Sequence, residues 1–214
     1  MSLLADIAHS IRRLIEDQEE EGEYSGGFLP YRIRLKAVSL VSENGSLLDI
    51  GCGEGLFLRR IPEIYHKRLF GLDPWEILIR RAQEKVSVPL FIGNGNALPF
   101  KKDTFNEITI LNLFPNLIHF HHMIPILKEA LRVCKKGGKV IFDYRNKKNP
   151  LIWLGYKTVK IHDPDIKVPL HAYPRRQVKR LLQTVGAEGV HYHPIPSWWR
   201  IDSPAYVVEI RKNT

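Results

Sequence analysis

An aspartate followed by three glycines in alternate positions stands out in the first third of the chain. Asp49 precedes Gly51, Gly53 and Gly55 in the stretch SLLDIGCGEGLFLRR. Glycine lacks a Cβ and adopts positive φ readily, so a turn of this kind lets the backbone approach a ligand closely. The carboxylate before the turn repels a phosphate and favours a ligand with positive charge. The pattern therefore differs from the G-x-G-x-x-G turn that binds the pyrophosphate of dinucleotides, and it argues against a nicotinamide dehydrogenase.

A second carboxylate, Asp73, ends the apolar run LFGLD farther along the chain. In nucleotide-binding sheets an acidic residue at this point accepts hydrogen bonds from both ribose hydroxyls. Alternatively, Asp73 caps the next helix, as Asp before Pro often does. With the glycine turn upstream, we predict the ribose role.

Both acids need a scaffold, and the sequence predicts one from alternating strand and helix patterns. Strands are predicted at 46–50, 68–72, 89–93, 107–112 and 139–144, and helices near 55–65, 75–86 and 121–135. This alternation is typical of βαβ units in an α/β protein, and it predicts a Rossmann-like, doubly wound, mostly parallel sheet with helices on both faces. In such a sheet a ligand binds at the carboxyl ends of the strands. Two final strands, in AEGVHYHPI and AYVVEIRK, are expected to form an antiparallel edge hairpin and bring the sheet to seven strands.

Further helices are expected on either side of this core. An apolar stripe predicts one within residues 3–14, and Pro30 is expected to open another that runs to about Val41. A helix is also predicted at 174–185 and closed by glycine. The pair at 137–138 is expected to end the helix at 121–135 in the same way.

Length and composition indicate a single domain without a membrane span. The chain has 214 residues, which is enough for a substantial core, and two cysteines, whose positions show no metal or disulfide pattern. No apolar run is long enough to cross a bilayer, and the N-terminus lacks a signal-peptide pattern, so a cytoplasmic protein is expected. The net charge of +9 suits nucleic acid, a membrane surface, an anionic substrate or solubility alone.

Four stretches in a fixed order resemble the class I S-adenosylmethionine-dependent methyltransferases, and most of all the branch with the ubiquinone/menaquinone-biosynthesis methyltransferases. They are LLDIGCGEG, GLDPWEILIRRA, GNGNALPFKKDTFNEITI and EALRVCKKGGKVIF. The resemblance covers roughly 45–145. It implies S-adenosyl-L-methionine as cofactor, S-adenosyl-L-homocysteine as product, and a small-molecule acceptor whose reacting O, N or C atom is open. A monomer or a homodimer is expected.

The resemblance also implies roles for individual residues. Asp49 would lie near the ammonium group of the methionine part, and Asp73 would take the ribose hydroxyls. Pro74 and Trp75 would cover the adenine, and Asn94 would accept from its amino group where the family usually has an aspartate. The expected cofactor-binding residues are Asp49, Gly51, Cys52, Gly53, Gly55, Asp73, Pro74, Trp75, Asn94, Gly95, Asn96, Ala97, Leu111 and Asn112.

The single class I domain is expected to have four parts. They are an N-terminal helical cap at 1–42, a cofactor-binding core at 43–145, a variable cap or acceptor segment at 146–173, and a C-terminal helix with edge strands at 174–214. The acceptor is expected to be selected by the parts outside the core, where the resemblance fades.

No catalytic residue is assigned, and the weak candidates for a base are His119, His121 and Tyr24. The two histidines follow the predicted fourth strand, where exposed or capping roles are the alternative. A metal site is not expected, because the histidines of this loop lack supporting carboxylates or cysteines.

Two further groups of residues have open roles. In similar enzymes the N-terminal segment folds over the cofactor, and an arginine from it either pairs with the methionine carboxylate or is solvated; its candidates are Tyr24, Tyr31, Arg32 and Arg34. A second group either lines an acceptor pocket or packs the cap: Tyr144, Arg145, His171, Trp198 and Trp199.

Two alternative functions remain at this point. The first is a methyltransferase for RNA, DNA or protein, which the net charge favours. The stretch NLFPN lacks the adjacent prolines typical of adenine amino-methylating enzymes, and neither cysteine suits cytosine C5 chemistry, so nucleic acid is not the favoured substrate. The second is a non-catalytic protein that binds S-adenosylmethionine.

Overall fold

The computed structural model describes residues 28–153, 171–197 and 202–213. Within these residues seven strands form one sheet in the order β3-β2-β1-β4-β5-β7-β6. The strands are β1 (Gly45–Ile50), β2 (Lys67–Asp73), β3 (Leu90–Ile92), β4 (Phe105–Ile110), β5 (Cys134–Arg145), β6 (Val190–Pro194) and β7 (Ala205–Arg211). Strands β1 to β5 pair in parallel, whereas β7 is antiparallel to both β5 and β6. The predicted sheet and its antiparallel edge hairpin are therefore confirmed.

Four predicted helices surround this sheet. They are α1 (Phe28–Val38), α2 (Glu76–Lys85), α3 (Met123–Val133) and α4 (Arg175–Thr184). A further helical segment at 150–153 was not predicted. Gly186 closes α4 as expected, since it has a φ of 68° and its N–H donates to the carbonyl of Gln183. The helix predicted within 3–14 lies outside the described residues. Within the described part of the chain, no helix is both long and apolar enough to cross a bilayer.

The helix predicted near 55–65 is wrong. This segment contains only a short 3-10 helix at Leu58–Arg60, and Ile61 is already extended before Pro62, as proline requires of the residue that precedes it. Five consecutive residues, 54–58, are buried. A helix packed on one side of a sheet buries only one stripe, so tertiary packing outweighs the helical pattern here.

The glycine pair at 137–138 does not end α3. That helix stops at Val133, and the glycines lie inside β5, which begins five residues earlier than the prediction at 139. A Cβ on Gly138 would lie 2.4 Å from the carbonyl oxygen of Asn106. The pair therefore allows close approach between β5 and β4, where the register shifts.

The sheet has an apolar layer on each face, and the two layers belong to different helices. Leu48 and Ile50 face the layer that contains α3 and α4. Leu47 faces the layer under α1 and α2, together with Ile33 of α1. Because side chains alternate along a strand, Asp49 projects into the α1 layer.

Candidate active site

The glycine turn after β1 has the left-handed conformation that its sequence predicted. Gly51, Gly53 and Gly55 have φ values of 75°, 51° and 78°, which glycine adopts without strain. The N–H groups that we expected to meet a ligand are bonded to β2: that of Gly51 donates to Leu72 O at 2.7 Å, and that of Gly53 to Asp73 at 3.0 Å. These bonds to β2 hold the turn in place. The turn therefore offers a ligand the open space over its glycines.

Cys52 stabilises the same turn from below. Its N–H also donates to Leu72 O, at 3.2 Å, and its carbonyl accepts from the N–H of Gly55 at 2.9 Å. The thiol is buried against Gly71, where an added Cβ would lie 2.9 Å from Sγ. Burial raises the pKa of the Cys52 thiol, so the group packs as a neutral side chain.

Asp49 is buried at the carboxyl end of β1 with a single hydrogen bond to its carboxylate among the described residues. The carboxylate accepts that bond from the hydroxyl of Thr109, on the neighbouring β4, at 2.7 Å. Burial raises the pKa of Asp49 to about 7, Asp73 adds to the rise, and Thr109 and Arg34 oppose it. The site therefore disfavours the ionised carboxylate, and a cationic ligand group would stabilise it.

Asp73 connects the glycine turn to the start of α2. Its two carboxylate oxygens accept hydrogen bonds from the N–H groups of Gly53 and Trp75, at 3.0 and 2.9 Å. Burial raises the pKa of Asp73, and these two bonds oppose the rise. A carboxylate has about four acceptor positions, so two remain for hydroxyl donors. The bond from Trp75 closes a turn before the helix and reaches no N–H group of Glu76–Lys85, so the capping alternative is wrong, and the ribose role stays a prediction.

Exposed apolar side chains lie near Asp73, after the end of β2 and at the end of β3. The side chains of Trp75 and Ile92 are 67% and 57% exposed. Asn94 follows β3, and its Oδ1 accepts from the N–H of Asn96 at 3.2 Å. The carbonyl of Asp73 accepts from the N–H of residue 93 at 3.1 Å, so the end of β3 is tied to the acid. A flat, weakly polar ring is the kind of group that such a surface suits.

The loop after β3 lies against the end of β1 because it contains glycine. A Cβ on Gly95 would lie 2.7 Å from Cγ2 of Ile50. Ala97 donates its N–H to the carbonyl of Asn94 at 3.1 Å and is exposed, as are Asn96 and Pro74. The residues predicted for the adenine therefore lie on one edge of the sheet.

A buried charged pair lies beyond β4, on the other side of the glycine turn. Asp143 and Arg145 of β5 form an ion pair. Asp143 also accepts from the N–H of Asn112 at 2.5 Å, and Arg145 donates to Oδ1 of Asn112 at 2.7 Å. Leu111, the residue before, is buried in the α1 layer. Burial raises the pKa of Asp143, and Arg145 opposes the rise.

The positive charge of Arg34, on α1, interacts with the carboxylates of both Asp49 and Asp143. It is 2% exposed, so the solvated alternative that we left open for it is wrong. Burial lowers the pKa of Arg34 to about 10, and the charges of Asp143 and Asp49 oppose the fall. Arg34 therefore stays cationic at neutral pH. Its neighbour Arg32 donates to the carbonyl of Pro196 at 2.9 Å.

Two of the three candidate bases, His119 and His121, lie together on the surface. His119 and His121 are exposed, with stacked rings 5.3 Å apart. In the described ranges, no three His, Cys, Asp or Glu residues are arranged to hold a metal ion. Tyr24, Trp198 and Trp199 lie outside the described residues.

The other acceptor candidates separate into two positions. Tyr144 is fully buried in the layer of α3 and α4, on the face opposite Asp49, so it packs the core. His171 lies beside the loop after β4, since its N–H donates to the carbonyl of Pro115 at 2.8 Å. Of this group, Arg145 and His171 lie near the carboxyl edge of the central strands.

Thr109 and Asp143 were missing from the predicted site. Both are polar residues inside otherwise apolar strands, in EITIL and VIFDY. A buried polar side chain requires a hydrogen-bond partner, and this requirement is the signal that sequence reasoning had available.

A parallel sheet with acids at the ends of β1 and β2, and a left-handed glycine turn between them, is the arrangement that a resemblance to the class I methyltransferases implies. Residues 48–142 match the family model described as a methyltransferase domain. The predicted resemblance to the class I S-adenosylmethionine-dependent methyltransferases is therefore confirmed.

The known proteins that are similar to this chain include methyltransferases. A demethylmenaquinone methyltransferase from Shouchella clausii is 31% identical over 109 residues, which are 47% of this chain and 45% of that protein. The chain thus spans about half the length of the curated relatives that it matches. An S-adenosylmethionine-dependent methyltransferase from Thermotoga maritima has a TM-score of 0.64 at 22% identity, with 87% and 93% of the two chains covered. One from Archaeoglobus fulgidus has a TM-score of 0.66 at 15% identity, with 86% and 93% covered. At these identities the two structures show the shared fold.

Proposed function

We propose that this chain binds S-adenosylmethionine and transfers its methyl group to a small-molecule acceptor. The observation that carries the proposal is the pair of buried carboxylates, Asp49 and Asp73, on either side of the left-handed glycine turn. When bound, the cofactor supplies a methyl group that its sulfonium already activates. The protein therefore acts mainly by orienting the acceptor and excluding water, which supplies several kcal/mol of catalysis.

Each part of the site has a residue that suits one part of the cofactor. Asp49 would pair with the ammonium of the methionine part, because this charge offsets the burial that raises its pKa. Asp73 would accept from the ribose hydroxyls with its remaining lone pairs. Trp75 would cover the adenine, and Asn94 would accept from the adenine amino group.

The segment after the glycine turn supports a cationic ligand. Only a 3-10 turn follows it, at Leu58–Arg60. The positive end of a helix, which favours phosphates in dinucleotide-binding proteins, is not formed at 55–65. A carboxylate before the turn and no helix behind it together favour a ligand with positive charge over one with a pyrophosphate.

The acceptor is proposed as a small oxygen-bearing aromatic compound that is methylated in the cytoplasm. Support comes from the curated relatives, several of which are named as demethylmenaquinone methyltransferases. Their identity to this chain is near 30% over about half of their length, so this part of the proposal requires its own test.

One surface favours a second candidate, a polyanionic acceptor such as RNA. Four basic side chains lie on the exposed side of α4: Arg175, Arg176, Lys179 and Arg180. A gel shift with bulk tRNA at low and high salt tests this candidate, because phosphate contacts release counterions and weaken with salt.

The experiment for the main proposal is calorimetric titration of the full chain with S-adenosylmethionine and S-adenosylhomocysteine. We expect both to bind at one site, with affinity strongly reduced in Asp49→Asn and in Asp73→Asn. Wild-type affinity in both variants would refute the assigned site. Incubation with labelled S-adenosylmethionine and a metabolite extract then tests turnover, and the absence of S-adenosylhomocysteine formation would favour a non-catalytic binding protein.

A further inference from the structure

Asn112 is fixed at three points although it lies in a loop. Its N–H donates to Asp143 at 2.5 Å, its carbonyl accepts from Nδ2 of Asn116 at 2.8 Å, and its Oδ1 accepts from Arg145 at 2.7 Å. The residue has a φ of 57°, which is uncommon for any residue except glycine. Backbone strain of this kind persists where surrounding contacts fix it, and it is concentrated at functional sites.

The ion pair behind Asn112 gives this arrangement its rigidity. Asp143 is fully buried and Arg145 is 6% exposed, and the two side chains are bonded to each other. Each of them makes a further hydrogen bond to Asn112. A buried pair of this type costs desolvation and contributes little net stability, so its use to hold one loop residue indicates a positioning role.

Arg145 also determines which way the amide of Asn112 faces. A guanidinium has donors only, so the atom that it contacts must be the amide oxygen. The NH₂ group of Asn112 therefore points away from Arg145. The side chain is partly exposed, and within the described residues its NH₂ group donates no hydrogen bond. The charge of Arg145 polarises the amide and strengthens the NH₂ group as a donor.

The position of Asn112 along the sheet indicates what this donor meets. The adenine, ribose and methionine residues follow β3, β2 and β1 in that order, and β4 is the next strand. Asn112 follows β4, on the side of the turn where a Cβ on Gly51 would lie 3.3 Å from Leu113. The loop continues to Pro115, beside His171. The NH₂ group of Asn112 therefore lies beside the proposed methionine position, on the side away from the ribose and adenine residues.

We propose that the NH₂ group of Asn112 donates a hydrogen bond to an oxygen of the methyl acceptor, next to its reacting atom. The acceptor class is then an aromatic ring that carries a hydroxyl, carbonyl or carboxylate oxygen. The inference rests on the proposed function, because it takes the glycine turn as the methionine position. Arg145 and Asp143 are positioning residues that act through Asn112.

The test compares the wild type, Asn112→Asp and Asn44→Asp, each saturated with S-adenosylhomocysteine. The carboxylate that Asn112→Asp introduces keeps the shape of the side chain and the bond to Arg145, but it replaces the NH₂ donor by an oxygen. Asn44 is exposed, and its substitution makes the same chemical change away from the site. The probes are 1-naphthol, 1-naphthoate, 1-naphthylamine and naphthalene, and affinity is measured by titration. The side-chain amide signal of Asn112 is identified as the one that is absent from Asn112→Asp, and it is followed by ¹⁵N NMR during the 1-naphthoate titration.

We expect the wild type and Asn44→Asp to bind 1-naphthoate, whose carboxylate only accepts hydrogen bonds, about tenfold more tightly than naphthalene, since a hydrogen bond to a charged group contributes about 1.5 kcal/mol or more. The ratio should fall below one in Asn112→Asp, because the two carboxylates repel each other, and the preferred probes of this variant should be the donors 1-naphthol and 1-naphthylamine. The Asn112 amide signal of the wild type should shift with 1-naphthoate. Equal probe ratios in the wild type and Asn112→Asp, or an amide signal that does not move, would overturn the inference. The affinity for S-adenosylhomocysteine is measured first in each variant, and no binding of it by the wild type would instead remove the proposed function.

Discussion

Two carboxylates on the same face of the sheet have opposite environments. One lies toward the carboxyl end of the central strands and the other lies nearer their start. Asp49 lies at the carboxyl end of β1 and Glu107 near the start of β4, and the pairing of β1 with β4 places them two residues apart. Glu107 is paired with Lys67 and with Lys139, and it accepts from both the N–H and the hydroxyl of Ser42. Burial is the largest influence on its pKa and raises it, but these partners together lower the pKa of Glu107.

At Asp49 the effect of burial on the pKa outweighs the effect of the partners. It accepts one hydrogen bond, from Thr109, and burial raises its pKa to about 7. The comparison separates a structural carboxylate, whose charge the protein itself compensates, from a carboxylate whose compensation is incomplete. Strongly perturbed acids at the carboxyl edge of a parallel sheet are typical of ligand sites. The end of the strands at which an acid lies therefore distinguishes the two roles.

The largest expected effect is the loss of cofactor binding in Asp49→Asn. The substitution removes the partner of a buried cation, which costs about 2–5 kcal/mol, so S-adenosylhomocysteine affinity should fall at least about 30-fold. The pKa of Asp49 is raised from 3.8 in the unfolded chain to about 7. Between these two pH values Asp49 is ionised in the unfolded chain but protonated in the folded protein. The free energy of unfolding therefore falls as the pH rises through this range. The variant without ligand should therefore melt at a higher temperature than the wild type at about pH 8. A lower melting temperature together with retained affinity would make Asp49 a structural residue like Glu107.

The converse change, Glu107→Gln, should destabilise the fold and leave the site intact. It leaves the ammonium of Lys67, whose side chain is fully buried, without its carboxylate. Breaking a buried ion pair in this way costs about 3–5 kcal/mol of unfolding free energy. Denaturant unfolding measures the loss, and calorimetry on the folded variant should give S-adenosylhomocysteine affinity within about twofold of the wild type. Loss of binding with unchanged stability would reverse the two roles.

The sequence predicted the Asp49 end of this comparison well, because glycine turns and acids at strand ends are local patterns. The order of strands and helices also followed from periodicity, apart from the helix near 55–65. There, five consecutive buried residues and Pro62 override the helical spacing. Tertiary burial of this kind leaves no local pattern.

The Glu107 end was not predicted, and neither were Thr109 and Asp143. Their roles depend on partners far away in the sequence: Lys67 is 40 positions from Glu107, and Arg34 is more than 100 positions from Asp143. Lys67 of β2 reaches Glu107 of β4 across the intervening β1, and Arg34 comes from α1. A single sequence shows a polar residue within an apolar strand, but not the group that compensates it.

A third prediction is the pH dependence of cofactor binding. The cation binds the ionised form of Asp49, whose pKa without ligand is raised to about 7. Affinity for S-adenosylhomocysteine should therefore fall as the pH decreases below about 7, approaching about tenfold per pH unit. Calorimetry between about pH 5.5 and about pH 8 measures this slope, and proton release on binding should accompany it. The residual binding of Asp49→Asn serves as the control and should lack the slope. An affinity that is constant over this range would show that Asp49 is already ionised before the ligand binds.

The smallest expected effect comes from Thr109→Val, which removes the one hydrogen bond that favours the ionised form of Asp49. Hydrogen bonds to charged groups contribute about 1.5–3 kcal/mol, so the pKa of Asp49 should rise by about one to two units. The midpoint of the pH dependence of binding should move upward by the same amount, while affinity at high pH changes little. Thr109→Ser keeps the hydroxyl and should retain the wild-type midpoint, which separates the hydrogen bond from the effect of packing. If both variants leave the midpoint in place, the hydrogen bond from Thr109 does not set the charge of Asp49, and the difference from Glu107 lies in the two lysines that pair with Glu107.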